Sequence, residues 1–235
     1  MIPIERNVVD RINNFYIRIT LIRITGRYTM SIEIKKLTTE LTEDYITFFD
    51  QVAFTDNDEW AGCYCLFYHW NDVLEEEQKN NITCDSTCYR KHLARDFIEA
   101  QKLQGYLAYE NGSVVGWVNA NDKTAYNRLS PDQWPEIWEA EISKDRIKSI
   151  VCYTIAPEQR RKGIATKLLE RVCQDAKEQG YSYVEAYPAN HADNVVLNYH
   201  GPSTLYEKCG FTQYKDIGDY MIFRKFLPSS YNGKY

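Results

Sequence analysis

The 235-residue sequence predicts a mixed α/β domain, and three observations carry that expectation. Alternating strands flank Asn111-Gly112 in "GYLAYENGSVVGWVNA", the dipeptide best suited to a type I′ hairpin. An apolar strand pattern, "RIKSIVCYTIAP", feeds a strongly periodic helix from Ile164, and a further strand, "YSYVEAYP", follows that helix. Two strands joined through one helix make a parallel crossover, which is right-handed.

The remaining elements follow in chain order. Residues 1–29 are rich in Arg and Ile and almost free of acids, whereas Met30 opens "MSIEIKKLTTELTEDY". The expected organisation is an extension over 1–29, either disordered or not native, a domain over 30–229 and a tail over 230–235. Ile32 and Ile34 alternate with Glu33 and Lys35 as a first strand. Thr42 is placed to cap a helix carrying Tyr45, Ile46, Phe48 and Phe49. An aromatic stretch, "DEWAGCYCLFYHWND", and an acidic one around Glu75–Glu77 come next. A second amphipathic helix, "CYRKHLARDFIEAQKLQ", then leads to the hairpin. After the crossover, "PSTLYEKCG" reads as a short helix and 211–214 and 219–226 as closing strands. The order is strand, two helices, hairpin, strand, helix, strand, helix, hairpin.

Composition narrows the function. The chain is 44% hydrophobic and 26% charged with a net charge of −5, so no global basic field argues for nucleic acid. No apolar run reaches the roughly 20 residues of a spanning helix. Arg18 and Arg23 interrupt "YIRITLIRIT", a poor secretory signal. Seven cysteines without an export signal read as reduced thiols in a cytoplasmic protein.

Against this acidic background, Arg160, Arg161 and Lys162 crowd the start of a helix, beside the positive end of its dipole. Cations there call for an anion. The helix is well specified: Ile164, Ala165, Leu168, Leu169, Val172, Cys173 and Ala176 share one face, and Gly180 suits its C′ position. A strand entering a helix whose first N–H groups are unpaired is a phosphate-holding construction, and Gly163 lets a ligand approach the backbone. The mononucleotide loop and the dinucleotide G-x-G-x-x-G fingerprint are both absent. A pyrophosphate fits a single glycine among cations.

Arg160 to Ala165, "RRKGIA", resembles the R/Q-x-x-G-x-G/A acetyl-CoA motif of the GNAT superfamily of N-acetyltransferases. "LYEKCGF" at 205–211 is similar to that superfamily's second signature, a tyrosine on a short helix before Gly-Phe and a strand. "WAGCYC" resembles a segment of a bacterial sub-group and implies nothing about the acceptor. The resemblance covers about residues 31–227. It implies a mostly antiparallel sheet with a splayed parallel strand–helix–strand core and helices on both faces. It also implies acetyl-CoA as co-substrate, with no metal.

The resemblance assigns roles residue by residue. Thr154 and Ile155 would pair with the pantetheine arm, and Gln159, Arg160, Arg161, Lys162, Gly163, Ile164, Ala165 and Thr166 would surround the pyrophosphate. Tyr206 would protonate the departing thiolate, since a phenol with a pKa of roughly 10 stays protonated at neutral pH. For the base, Glu185 among aromatics, His200 in "NYHGP" and a water relay all stand open. Glu185 also reads as a structural partner of an arginine.

Trp60, Tyr64 and Tyr68 are the candidate acceptor walls, because aromatic faces hold an apolar body or a cation. The nearby Asp56, Asp58 and Glu59 suit a cationic amine. The expected partner is a small-molecule amine, with no nucleic acid and no membrane, in a monomer or homodimer. A non-catalytic acyl-CoA-binding module and a protein acetyltransferase are the alternatives. Cys63, Cys65, Cys84 and Cys88 could furnish four zinc ligands, but C-x-x-C knuckles are lacking, and the expectation is small core hydrophobes with no metal.

Overall fold

The computed structural model describes residues 31–138, 145–190 and 195–228, apart from the side chains of 195–197. The chain divides into units at Ser31/Ile32. The expected 1–29 extension, the ends of the 30–229 domain and the 230–235 tail lie outside the described residues.

In chain order the elements are β1 (Glu33–Lys36), α1 (Thr42–Gln51), α2 (Asp72–Asn80), α3 (Ser86–Glu99), β2 (Gly105–Glu110), β3 (Ser113–Asp122), β4 (Ile147–Ile155), α4 (Ile164–Glu178), β5 (Tyr183–Ala186), α5 (Ser203–Lys208), β6 (Thr212–Asp216) and β7 (Met221–Phe226). The strands form a seven-stranded sheet in the order β1-β2-β3-β4-β5-β7-β6. Among the described strands only β4 and β5 pair in parallel, across the α4 crossover; the other neighbours are antiparallel. This is the mixed sheet the sequence predicts.

One helix was missed. The acidic stretch forms α2, whose Asn71 side chain accepts from the Leu74 N–H at 2.9 Å. No α2 residue is buried, so its sequence carries no apolar face for periodicity to find. Thr42 is likewise one residue too late to cap α1. It is the first helical residue, and its hydroxyl donates to the Thr39 carbonyl at 2.8 Å.

The hairpin holds as expected. Asn111 and Gly112 both adopt left-handed backbone, φ 52° and 82°, as a type I′ turn requires. Two apolar layers cover the sheet. On one face Tyr45, Phe48 and Phe49 of α1 and Ile98 of α3 pack with Trp117, Val151 and Cys152. On the other, Ile164, Leu168, Leu169 and Val172 of α4 pack with Val118, Ile150 and Val184.

One irregularity shapes everything that follows. Asn119 pairs with Cys152 and Ala120 with Ile150, so Val151 is an extra residue in β4. Such a bulge bends its strand and ends regular pairing.

Candidate active site

The ladder between β4 and β5 starts at Ile147↔Tyr183 and ends at Ile150↔Ala186, just before the bulge. β4 runs on to Ile155, paired with β3 alone among the described strands. Past Tyr187 and Pro188 the segment after β5 turns away, and Ala189 bridges to Tyr220 instead. Residues 151–155 therefore lack a strand partner on the β5 side among the described residues.

Main-chain direction along that edge can be read from one bond. The Ala156 N–H donates to the Val115 carbonyl at 3.0 Å, so alternation also turns Thr154 toward β3, opposite Trp117. Tyr153 and Ile155 are left to face the β5 side by their main chains, where Arg160 already takes the Ile155 carbonyl. Of the two residues expected along this edge, Ile155 faces away from β3 by its main chain and Thr154 faces β3. The Thr154 hydroxyl lies 3.6 Å from Cys65 Sγ on the covered face.

Beyond β4 a single turn, Pro157–Gln159, leads to α4. Arg161 and Gly163 take left-handed backbone, φ 64° and 80°. For Arg161 this is strained, since L side chains crowd the following carbonyl there. Gly163 caps α4 without any side-chain bond to the helix N–H groups. A Cβ built on Gly163 would meet nothing within 4 Å. Ile164, Ala165 and Thr166 supply the first-turn N–H groups, while the Ile164 side chain is buried beneath the sheet. This open, uncapped helix start suits an anion.

The cations are not equivalent. Arg160 binds Asp56 through both terminal guanidinium nitrogens, at 2.5 and 3.1 Å, and its Nε donates to the Ile155 carbonyl at 3.2 Å. The hydrogen bonds from Arg160 hold Asp56 below the ordinary carboxylate range. Lys162 donates to Gln159 Oε1 at 3.0 Å, and Gln159 donates to Glu110 Oε2 at 2.6 Å. Gln159 thus braces the loop by its side chain, and Arg161 stands exposed at the turn.

Tyr206, on α5, is fully buried and donates its hydroxyl hydrogen bond to the His200 carbonyl. Burial pushes its phenol above the ordinary range. His200 is also buried; its Nε2 bonds the Tyr68 hydroxyl at 2.8 Å, and Nδ1 lacks a partner among the described residues. Burial lowers the His200 imidazole to about 3.

Around His200 runs a row of rings. Trp60 meets Tyr199 at 5.5 Å between centroids, Tyr199 meets His200 at 4.3 Å, and His200 meets Tyr220 at 5.2 Å. Trp134 continues the row at 5.4 Å from Tyr220. Trp60, Tyr199, Tyr220 and Trp134 are half-buried, so each keeps one side toward solvent.

Tyr64 does not join them. Its hydroxyl donates to Asp50 Oδ1 at 2.5 Å and its ring packs near Phe49, so it belongs to the core under α1. Of the three rings expected at the acceptor wall, Trp60 and Tyr68 each reach Tyr199 and Tyr64 lies elsewhere.

Glu185 takes the structural alternative. It is fully buried, and its carboxylate accepts from Lys123 Nζ at 2.7 Å, Tyr187 at 2.7 Å and Arg224 Nε at 2.5 Å. Two cations and a phenol share its two oxygens, and full burial keeps the carboxylate away from solvent, so its charge is committed to Lys123 and Arg224. The geometry opposes the role of base.

All seven cysteines are free thiols. Among the described residues no group of three or more His, Cys, Asp or Glu is arranged to hold a metal. No helix of the described residues is long and apolar enough to cross a membrane.

Sequence reasoning missed the Arg160–Asp56 clamp and the contributions of Trp134, Tyr199 and Tyr220, which come from separate irregular segments. The splay left a trace: "RIKSIVCYTIAP" is a longer strand pattern than "YSYVEAYP", which stops at Pro188.

The model of the Acetyltransferase (GNAT) family matches residues 70–211. No curated protein matches the sequence significantly. Among solved structures, PaiA N-acetyltransferase from Thermoplasma acidophilum, in complex with coenzyme A, is 19% identical with a TM-score of 0.46, covering 84% of this chain and 99% of its own. The GNAT domain of S. lividans PAT is 15% identical, TM-score 0.49, covering 83% and 90%. Drosophila melanogaster polyamine N-acetyltransferase is 11% identical, TM-score 0.47, covering 84% and 100%.

Proposed function

Because the chain belongs to the acetyltransferase (GNAT) family, we propose that it transfers an acetyl group from acetyl-CoA to the primary amine of a small molecule. The observation that carries this reading is the coincidence of two features. The β4–β5 ladder ends at Ile150↔Ala186, and the same strand then delivers an uncapped helix start at Gly163. A long, extended ligand with an anionic middle needs both.

On this reading the N–H groups from Arg161 to Thr166 take the diphosphate, with Arg161 and Lys162 adding charge. Main-chain groups of Tyr153 and Ile155 bind the pantetheine arm as a neighbouring strand would. An N–H at that edge stabilises the oxyanion that forms when nitrogen attacks the thioester carbonyl.

Tyr206 is the acid. Its burial keeps the phenol protonated, and the thiolate leaving the carbonyl replaces the His200 carbonyl as the partner of its hydroxyl. With Glu185 committed to Lys123 and Arg224, the acceptor attacks as the free amine after losing its proton to water. The ring row from Trp60 to Trp134 forms the acceptor wall, suited to an amine with an apolar or cationic body.

The test is thiol release from acetyl-CoA across a panel of amines, amino acids, polyamines and aminoglycosides. At least one small amine should support turnover with its acetylated product detected. Acetyl-CoA binding without turnover on any amine would favour a binding module instead.

A further inference from the structure

Cys65 and Cys152 lie with their sulfurs 2.8 Å apart, both as free thiols and both buried. They come from distant parts of the chain. Cys152 directly follows the bulge in β4, where that strand leaves β5. Cys65 sits in the turn that precedes Tyr68, held in left-handed backbone at φ 46°.

Asn119 fixes their apposition. It is the β3 residue paired with Cys152, and its buried amide donates to the Cys65 carbonyl at 3.0 Å while its oxygen accepts from Tyr126 at 2.8 Å. The residue opposite one cysteine thus anchors the backbone of the other. A core packing role alone does not require two sulfurs in register.

We propose that Cys65 and Cys152 are a disulfide-forming pair that staples the acceptor-wall segment to β4 beyond its pairing with β5. The oxidant is a hydroperoxide. Cys152 sulfur attacks the O–O bond of hydrogen peroxide, becoming a sulfenic acid and releasing one water once protons are counted. Cys65 sulfur then displaces the sulfenic oxygen, forming the S–S bond and releasing a second water. Two thiols lose two hydrogens, and one peroxide is reduced to two waters.

Burial, and then the contact with Cys152, pushes the Cys65 thiol well up, so closure is slow and follows sustained rather than brief exposure. Disulfide sulfurs lie about 2.05 Å apart, so little main-chain movement accompanies the bond. The staple restricts the unfolded chain and leaves the site in place.

The inference goes beyond the acetyltransferase reading and is read without cofactor or acceptor, so either can fail alone. The full chain, reduced and desalted, is exposed to hydrogen peroxide, alkylated under denaturing conditions and peptide-mapped. A Cys65–Cys152 linked peptide is expected, with a melting temperature raised by about 5–10 °C and restored by dithiothreitol. Cys63→Ser should retain the link, and Cys152→Ser should lose the shift. Mapping only Cys63–Cys65 or Cys84–Cys88 links, or finding Cys152 over-oxidised with Cys65 still alkylatable, overturns the proposal. Wild-type mapping decides the matter even if Cys152→Ser does not fold.

Discussion

Tyr206 spends its phenolic hydrogen bond on the main-chain carbonyl of His200, and the next residue, Gly201, leaves room for that hydroxyl. A Cβ at Gly201 would lie 3.2 Å from Tyr206 Oη and 3.3 Å from the Tyr153 ring. Gly201 also has φ 80°, which strains any other side chain. Tyr206→Phe should therefore lower kcat by about 10²-fold, the scale of one lost proton donor, with acetyl-CoA affinity kept. Steady-state kinetics beside calorimetry separate the two, and unchanged kcat would remove the acid role. Gly201→Ala should fall between wild type and Tyr206→Phe.

Gly163 supplies both left-handed backbone and open space in front of α4. Gly163→Glu places a carboxylate where the diphosphate is proposed to sit, adding repulsion to strain. Gly163→Asn keeps neutrality and tolerates φ near 80° better. Acetyl-CoA affinity measured by calorimetry should fall by about 10²-fold or more in the first and by less than about tenfold in the second. Equal affinities in all three proteins would move the diphosphate away from this turn.

Asp56 competes for one of the three cations. Both partners are about half exposed, at 48% and 43% for the side chains of Arg160 and Asp56, so the pair contributes little to stability. Asp56→Asn should leave the melting temperature nearly unchanged while releasing Arg160 toward the ligand. Acetyl-CoA should bind about threefold more tightly at low salt, and the gain should shrink as added salt screens it. Weaker binding would mean that Arg160 serves by holding the segment around Asp56 in place.

The sheet was legible because each strand announces itself locally, by alternation or by the turn at Asn111-Gly112. The phosphate-holding loop was legible because Gly163 and its helix are contiguous in sequence. What escaped depends on residues brought together from afar. The ring row joins Trp60, Tyr199, Tyr220 and Trp134 from irregular segments that carry no period. The bulge at Val151 depends on how β4 meets β3, which a single strand cannot reveal. The choice between base and arginine partner at Glu185 stayed open for the same reason, since its cations, Lys123 and Arg224, lie on other elements.

Glu185→Gln separates ion pairing from catalysis. Removing the charge leaves Lys123 and Arg224 buried beside a neutral amide, a loss expected at about 3–5 kcal/mol. The variant should melt early, yet whatever folds at low temperature should keep the wild-type pH dependence of kcat/KM. If Glu185 were the base, the folded variant would lose its acidic limb and most of its kcat. With no protein base, that limb should instead follow the acceptor, moving upward for amines of higher pKa.

His69 and His200 tie stability to pH. Burial lowers them from 6.5 to about 4 and about 3, with hydrogen bonding from Asn119 partly offsetting the effect at His69. Both are nearly inaccessible, at 3% and 0% exposure, so they stay neutral in the folded protein where the unfolded chain would protonate them. Below pH 6.5 the unfolded chain binds more protons, and acidification therefore favours unfolding. The stabilisation is complete above pH 6.5 and declines as pH falls toward the folded values. At pH 5 the loss is about 2 kcal/mol per histidine, from 1.5 units below the unfolded value. Urea melts at pH 7 and pH 5 should show this loss, and His69→Gln should flatten the dependence by about half. An equally steep dependence in that variant would remove His69 as a source of the sensitivity between pH 7 and pH 5.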